Sequence, residues 1–95
     1  MDYFIELKVP NDVPALRTDP FSSAERAFAA ATRLSLHPGV NSSEIRVYAT
    51  NGKKAIGIPY ETIIESMGDT IKLADGTYSE VGGLVLEELA KRGLR

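Results

Sequence analysis

The chain lacks several residue types on which common catalytic and metal sites depend. It has no cysteine, no tryptophan and a single histidine, and no hydrophobic run approaches the length of a membrane span. The absence of cysteine excludes disulfides and thiolate metal ligands. The 43% hydrophobic and 25% charged fractions over 95 residues are typical of an ordinary globular protein. We therefore expect a single domain over residues 1–95.

The N-terminal residues alternate in polarity and do not form the continuous apolar core of a signal peptide. From this pattern we expect a cytoplasmic protein that has no membrane partner.

The strongest local signal is a β-hairpin in the middle of the chain. Two alternating apolar runs flank Asn51-Gly52, and this dipeptide favours a type I′ turn, in which both central residues have positive φ. A two-residue loop would pair Val47 with Ile56 and Ile45 with Ile58. These aliphatic residues would then form one buried face, because side chains alternate along a strand.

Other segments complete the predicted set of elements. Residues 3–9 read as a half-buried strand, and residues 10–21 as a connector with three prolines, in which Val13 and Leu16 pack inward. A capping box at Ser22–Glu25 predicts a helix that ends near Leu36 or His37. Residues 59–68 predict a short helix, Asp75-Gly76 a second hairpin, and residues 79–93 a final helix.

Helical spacing predicts which side of each long helix is buried. In the first helix the apolar stripe consists of Ala24, Ala27, Phe28, Ala31 and Leu34, and in the last it consists of Val81, Leu84, Val85 and Leu89. Gly82-Gly83 weakens the last helix locally. Either that helix begins after the two glycines or the backbone packs closely there.

The order of the elements predicts an α+β fold. A β-α-β-β-α-β order is the ferredoxin-like pattern of an antiparallel-rich sheet, here with an added C-terminal hairpin strand and helix. The first crossover would be right-handed, with the helices on one face of the sheet. A plain meander with helices on one face is the alternative.

Catalytic and metal motifs are missing from the chain. His37 is the only imidazole, and its place beside Pro38-Gly39 at a helix end favours a surface residue. The acidic residues between 69 and 80 lack EF-hand spacing, and Gly82-Gly83 belongs to no phosphate-binding motif. We therefore predict no enzymatic activity, no cofactor and no metal.

Charge is distributed unevenly, although the net charge is only −2. Residues 17–54 carry six basic and three acidic residues, whereas residues 60–88 carry seven acidic residues and one lysine. RNA-recognition modules share the β-α-β-β-α-β order but carry a basic-aromatic signature on the third strand. The corresponding segment here, residues 53–58, has no aromatic residue. Basic residues do cluster on the hairpin, however, and a nucleic-acid-binding accessory protein that uses the basic hairpin is the alternative function.

A protein interaction is the favoured function. Alternation places Phe4, Arg46 and Tyr48 away from the aliphatic face, and Lys53 and Lys54 extend this surface at the hairpin tip. Tyrosine and arginine are enriched at interface hot spots. We expect a small non-catalytic interaction module, a regulator or inhibitor that binds a protein partner or a second copy of itself. The open alternatives are an ordinary solvated sheet face and a subunit that functions only within a complex.

Overall fold

The computed structural model describes residues 1–8, 15–68 and 78–95, which form one antiparallel sheet and three helices. The strands are β1 (Asp2–Leu7), β2 (Leu16–Arg17), β3 (Ile45–Thr50) and β4 (Ala55–Pro59); the helices are α1 (Ala24–Ser35), α2 (Tyr60–Met67) and α3 (Tyr78–Gly93). The strand order across the sheet is β2-β1-β3-β4. The predicted α+β class is confirmed. None of the described helices is long and apolar enough to cross a membrane.

One side of the sheet forms the core. Tyr3 and Ile5 of β1, together with Ile45, Val47 and Ala49 of β3, are at most 4% exposed. They belong to a single buried cluster to which all three helices contribute. The residues between them point to the opposite side of the sheet, because side chains alternate along a strand. We call that opposite side the open face.

The central hairpin is present, but its predicted register is wrong by two residues. Val47 pairs with Ile58 and Ala49 with Ile56, so four residues, not two, connect β3 to β4. The Asn51 side chain closes the connection by accepting hydrogen bonds from the two following lysine amides, at 3.0 and 2.8 Å. A shift of two residues keeps every side chain on its predicted face, because the period of a strand is two.

The ferredoxin-like topology is not confirmed. β1 and β3 are adjacent and antiparallel, whereas the predicted crossover through the first helix joins parallel strands. The second hairpin, predicted at Asp75-Gly76, lies outside the described residues. What the described residues establish is one open antiparallel sheet.

The segment predicted as an irregular connector is partly paired with β1. Leu16 and Arg17 form β2, opposite Leu7 and Glu6, and Phe21 exchanges backbone hydrogen bonds of 2.8 and 2.6 Å with Tyr3. The prediction that Leu16 packs inward is wrong, because its side chain is 59% exposed at the sheet edge. Val13 lies outside the described residues.

Helix α1 matches its sequence pattern closely. Four residues of the predicted stripe are buried and Leu34 is partly buried; the buried ones are Ala24, Ala27, Phe28 and Ala31. The N-cap is Ser23, whose side chain accepts from the Arg26 amide, so the predicted cap at Ser22 is one residue early. The helix ends at Ser35 with Leu36 as its C-cap, close to the expected end.

Helix α3 matches its predicted stripe in part. Val81, Val85 and Leu89 are partly buried against the core, but Leu84 is 68% exposed and the fully buried residues are Gly82, Gly83, Leu86 and Ala90. Both glycines lie within the helix, against α1. A Cβ at Gly82 would lie 2.6 Å from the Phe28 Cζ, and one at Gly83 would lie 2.7 Å from the Glu25 Cα. Close backbone packing is therefore the explanation for the glycine pair.

Candidate partner-binding face

The open face is built around one row of residues that crosses three strands. Phe4 of β1 pairs with Tyr48 of β3, and Tyr48 pairs with Gly57 of β4. The aromatic rings are parallel, with centroids 5.0 Å apart. The row therefore presents two adjacent aromatic side chains, both half-buried, on the two central strands of the sheet.

Glycine at position 57 makes room for the tyrosine. A Cβ at Gly57 would lie 2.9 Å from the Tyr48 Cζ, so the ring covers the glycine backbone. The Phe4 ring has the Arg17 guanidinium on it, with the Arg17 Cζ 5.2 Å from the ring centroid. Arg17, Phe4, Tyr48 and Gly57 thus form a continuous series of contacts, which we call the aromatic row.

Glu6 links the aromatic row to the next row of the face. Its carboxylate accepts a 2.8 Å hydrogen bond from Arg17 Nε and a 3.4 Å hydrogen bond from the Tyr48 hydroxyl. The Glu6 side chain is 16% exposed, whereas that of Arg17 is 62% exposed. Such a half-exposed ion pair contributes about 1 kcal/mol or less to stability. Its effect here is to orient the arginine over the Phe4 ring.

Arg46 lies beside this pair and remains exposed. It is the cross-strand partner of Glu6, but among the described residues the ion pair of Glu6 is made with Arg17. A shallow cavity of about 250 Å³ next to Arg46 is also lined by Lys8, Glu44 and Tyr48. The guanidinium of Arg46 is therefore available to a group that approaches the open face.

The two lysines predicted as site residues lie at the hairpin tip. Lys53 and Lys54 are exposed, and their backbone amides are held by Asn51. Gly52 beside them has φ = +91°, a conformation that favours glycine. The structure thus brings together Phe4, Tyr48 and Arg46, and places the lysines at one end of the same surface.

Two residues of this surface were not predicted from the sequence: Arg17, which belongs to the aromatic row, and Glu6, which contacts it. Strand alternation alone places Glu6 on the same face as Phe4, so its presence there could have been predicted. Arg17 follows a proline-containing stretch without periodicity, so only the pairing of β2 with β1 shows that it reaches Phe4.

A separate polar cluster lies on the helix side of the sheet. The Thr32 and Tyr60 hydroxyls are 3.0 Å apart, and the Tyr60 hydroxyl is 3.5 Å from that of Tyr78. Burial, followed by the hydrogen bond with Tyr60, raises the pKa of Tyr78 to about 12. This hydroxyl cluster joins α1, α2 and α3.

The residues considered above as candidates for a catalytic, phosphate-binding or metal site do not lie together. His37 is exposed beyond the end of α1, and its amide donates to the Leu34 carbonyl at 3.1 Å. Gly82 and Gly83 are buried against α1. Among the described residues, no group of three histidine, cysteine, aspartate or glutamate side chains is placed to hold a metal ion.

Comparison of the chain with protein-family models, with curated proteins and with solved structures finds no match in any of the three.

Proposed function

We propose that the protein is a non-catalytic interaction module that regulates or inhibits a protein partner by docking through its open face. The observation that carries this proposal is the aromatic row, which puts two aromatic rings and an arginine on a sheet face that no described helix covers. Aromatic and arginine side chains are the residues that contribute most at interfaces.

The charge around the aromatic row favours a partner with acidic side chains. Arg46, Lys53 and Lys54 are exposed on this surface. The Glu6 carboxylate is already engaged by Arg17, whereas Glu44 lines the cavity beside Arg46 and Asp2 lies at the hairpin end of the same face. The basic residues still exceed the unpaired acidic ones, so an acidic protein surface would meet an excess of positive charge here, which increases both association rate and specificity.

Single-stranded nucleic acid is the second candidate, because aromatic rings flanked by basic residues are also its recognition surface. The ring contacts argue against it. Phe4 lies between Arg17 and Tyr48, and Tyr48 lies between Phe4 and Gly57. A base would have to displace Arg17 before it could stack on a ring.

The test is capture of partners by immobilised wild-type and variant proteins. The double variant Arg46→Ala, Tyr48→Ala removes an exposed charge and an aromatic ring from the open face, and we expect it to lose captured proteins while remaining folded. Arg33→Ala is the matched control, because Arg33 is an exposed arginine on α1, on the other side of the sheet. Tyr48→Phe is a second control that keeps the ring.

Three outcomes separate the alternatives. Capture that resists nuclease and is retained by the Arg33→Ala variant supports a protein partner. Capture that nuclease abolishes, and that weakens steeply with salt, assigns nucleic acid instead. If the double variant captures the same proteins as wild type and sediments like wild type, the open face is not the docking surface. Sedimentation velocity also shows whether a second copy is the partner.

A further inference from the structure

A second site lies on the helix side of β1, away from the aromatic row. A cavity of about 560 Å³, open to solvent, lies between the first turn of α1 and residues 80–87 of α3. Tyr3 lines it together with three carboxylates and two exposed apolar side chains: Glu25, Glu80, Glu87, Met1 and Leu84. These residues belong to three separate elements of the fold, so the site depends on tertiary structure.

The walls of this cavity are held in place by backbone contact. The two helices approach so closely that a Cβ at Gly83 would lie 2.7 Å from the Glu25 Cα and 2.8 Å from its nitrogen. Tyr3 is fixed by its two backbone hydrogen bonds with Phe21. The cavity is therefore preformed and needs no rearrangement to accept a ligand.

Tyr3 lines the cavity. Tyr3 is only 4% exposed, and its hydroxyl makes no hydrogen bond with a described residue. In the described part of the chain, however, every fully buried side-chain oxygen or nitrogen has a hydrogen-bond partner. The hydroxyl must therefore reach solvent, and the cavity is the solvent-filled space that Tyr3 lines. Burial, and next the Glu87 carboxylate, raise the pKa of Tyr3, so the phenol stays neutral.

The charge of the cavity favours a cation. Three glutamates line it, and the positive group among its described lining residues is the amino terminus of Met1. Glu87 has an ion pair with Lys91 at 2.9 Å; Glu25 and Glu80 have none within the described part of the chain. The Met1 ammonium and the N-terminus of α1, which contributes about half a positive charge, offset part of the negative charge of Glu25 and Glu80 but not all of it.

We propose that this cavity binds an aliphatic ammonium group. A neutral phenol can accept a hydrogen bond from the ammonium, the glutamates supply counter-charge, and the exposed Leu84 side chain packs against the alkyl part. The carboxylates are spread over two helices and are not grouped as ligands for a metal ion. A flexible organic cation fits that arrangement better than a metal ion does.

The experiment is an NMR titration of the isotope-labelled chain with two probes, spermidine and a short peptide that contains one lysine. We expect saturable shift changes at the amides of residues 22–25 and 80–87, with the open face unaffected. Uncharged counterparts, butanediol and the peptide with acetylated lysine, serve as controls and should produce none. Spermidine binding assigns a free polyamine, and binding of only the peptide assigns a lysine of a partner protein.

Variants test whether the site is the one described. Tyr3→Phe keeps the ring and should weaken binding about tenfold, because a hydrogen bond to a charged group is lost. Glu80→Gln should weaken it by about two- to fivefold. Glu88→Gln is the matched control, since Glu88 lies next to Glu87 on α3 but does not line the cavity. Thermal unfolding confirms that each variant is folded.

Two results would overturn the proposal. One is the absence of saturable binding by either probe. The other is binding that survives Tyr3→Phe and Glu80→Gln unchanged, with shifts spread over the acidic residues of α2 as well. Neither result bears on the open face, because Arg46 and Tyr48 are on the opposite side of the sheet.

Discussion

Replacement of Gly82 by alanine sets two effects of known sign against each other. Alanine in a helix interior is favoured over glycine by about 1 kcal/mol. In this structure the added Cβ would lie 2.6 Å from the Phe28 Cζ and closer still to two other ring carbons. Carbon atoms pack at roughly 3.5–4.0 Å, so the ring would have to move by about 1 Å or more.

The Phe28 ring has no space into which it can move. Phe28 is fully buried, and its ring is 5.7 Å from that of Tyr60 and 5.3 Å from that of Tyr78. Overpacking of a core costs about 1–3 kcal/mol. After the gain in helix propensity, we expect Gly82→Ala to lower the free energy of unfolding by up to about 2 kcal/mol. For a domain of this size the melting temperature should fall by up to roughly 15 °C.

The assay is urea denaturation with a double-mutant cycle. Phe28→Leu shortens the side chain that the new methyl group meets, so the double variant should be less destabilised than the sum of the single variants, by about 0.5 kcal/mol or more. If Gly82→Ala instead increases stability by the full helix-propensity gain, the close contact between α1 and α3 does not exist.

Three further predictions concern the hairpin, the β2 edge and the hydroxyl cluster. Gly52→Val should destabilise the chain by about 1 kcal/mol or more, because a β-branched residue resists φ = +91° although there is open space around it; an unchanged urea midpoint would contradict this. In hydrogen exchange, the amides of Thr18 and Phe21, which donate to β1 carbonyls, should be protected relative to that of Asp19, and uniformly fast exchange would contradict the β2 pairing. The pKa of Tyr78 is raised from 10 to about 12, because the folded state holds the phenol proton more tightly than the unfolded state does. The contribution of Tyr78 to stability is therefore complete below pH 10 and is lost as the pH rises towards 12. Tyr78→Phe should reduce this alkaline loss of stability, as followed by urea midpoints against pH, and an unaltered pH profile would refute the coupling.

Alternation along the strands was sufficient to predict the two faces of the sheet. It placed Phe4 and Tyr48 together on the open face even though the hairpin register was wrong by two residues, because such a shift leaves the sides unchanged. The register itself depends on the Asn51 side chain, which closes a longer connection than the dipeptide rule assumes.

Helical spacing succeeded for α1 but only in part for α3, where Val81, Val85 and Leu89 are partly buried and Leu84 is exposed, and the difference has a physical cause. A stripe of large apolar residues identifies a buried side only when side chains fill the contact. In α3 the contact is made by backbone at Gly82 and Gly83, so the helix turns its smallest residues inward and leaves Leu84 exposed. Likewise, the position of Arg17 over Phe4 follows from a long-range strand pairing that local sequence does not encode.

The contact between α1 and α3 also affects the order in which the chain can fold during synthesis. Phe28, buried in α1, is in contact with Tyr78 and with the backbone of Gly82, fifty or more residues later in the chain. Such distant contacts form slowly, because a long loop must close before they are made. On the ribosome, α1 therefore emerges long before its main packing partner, and the part of its apolar side that α3 covers stays exposed until α3 has been translated.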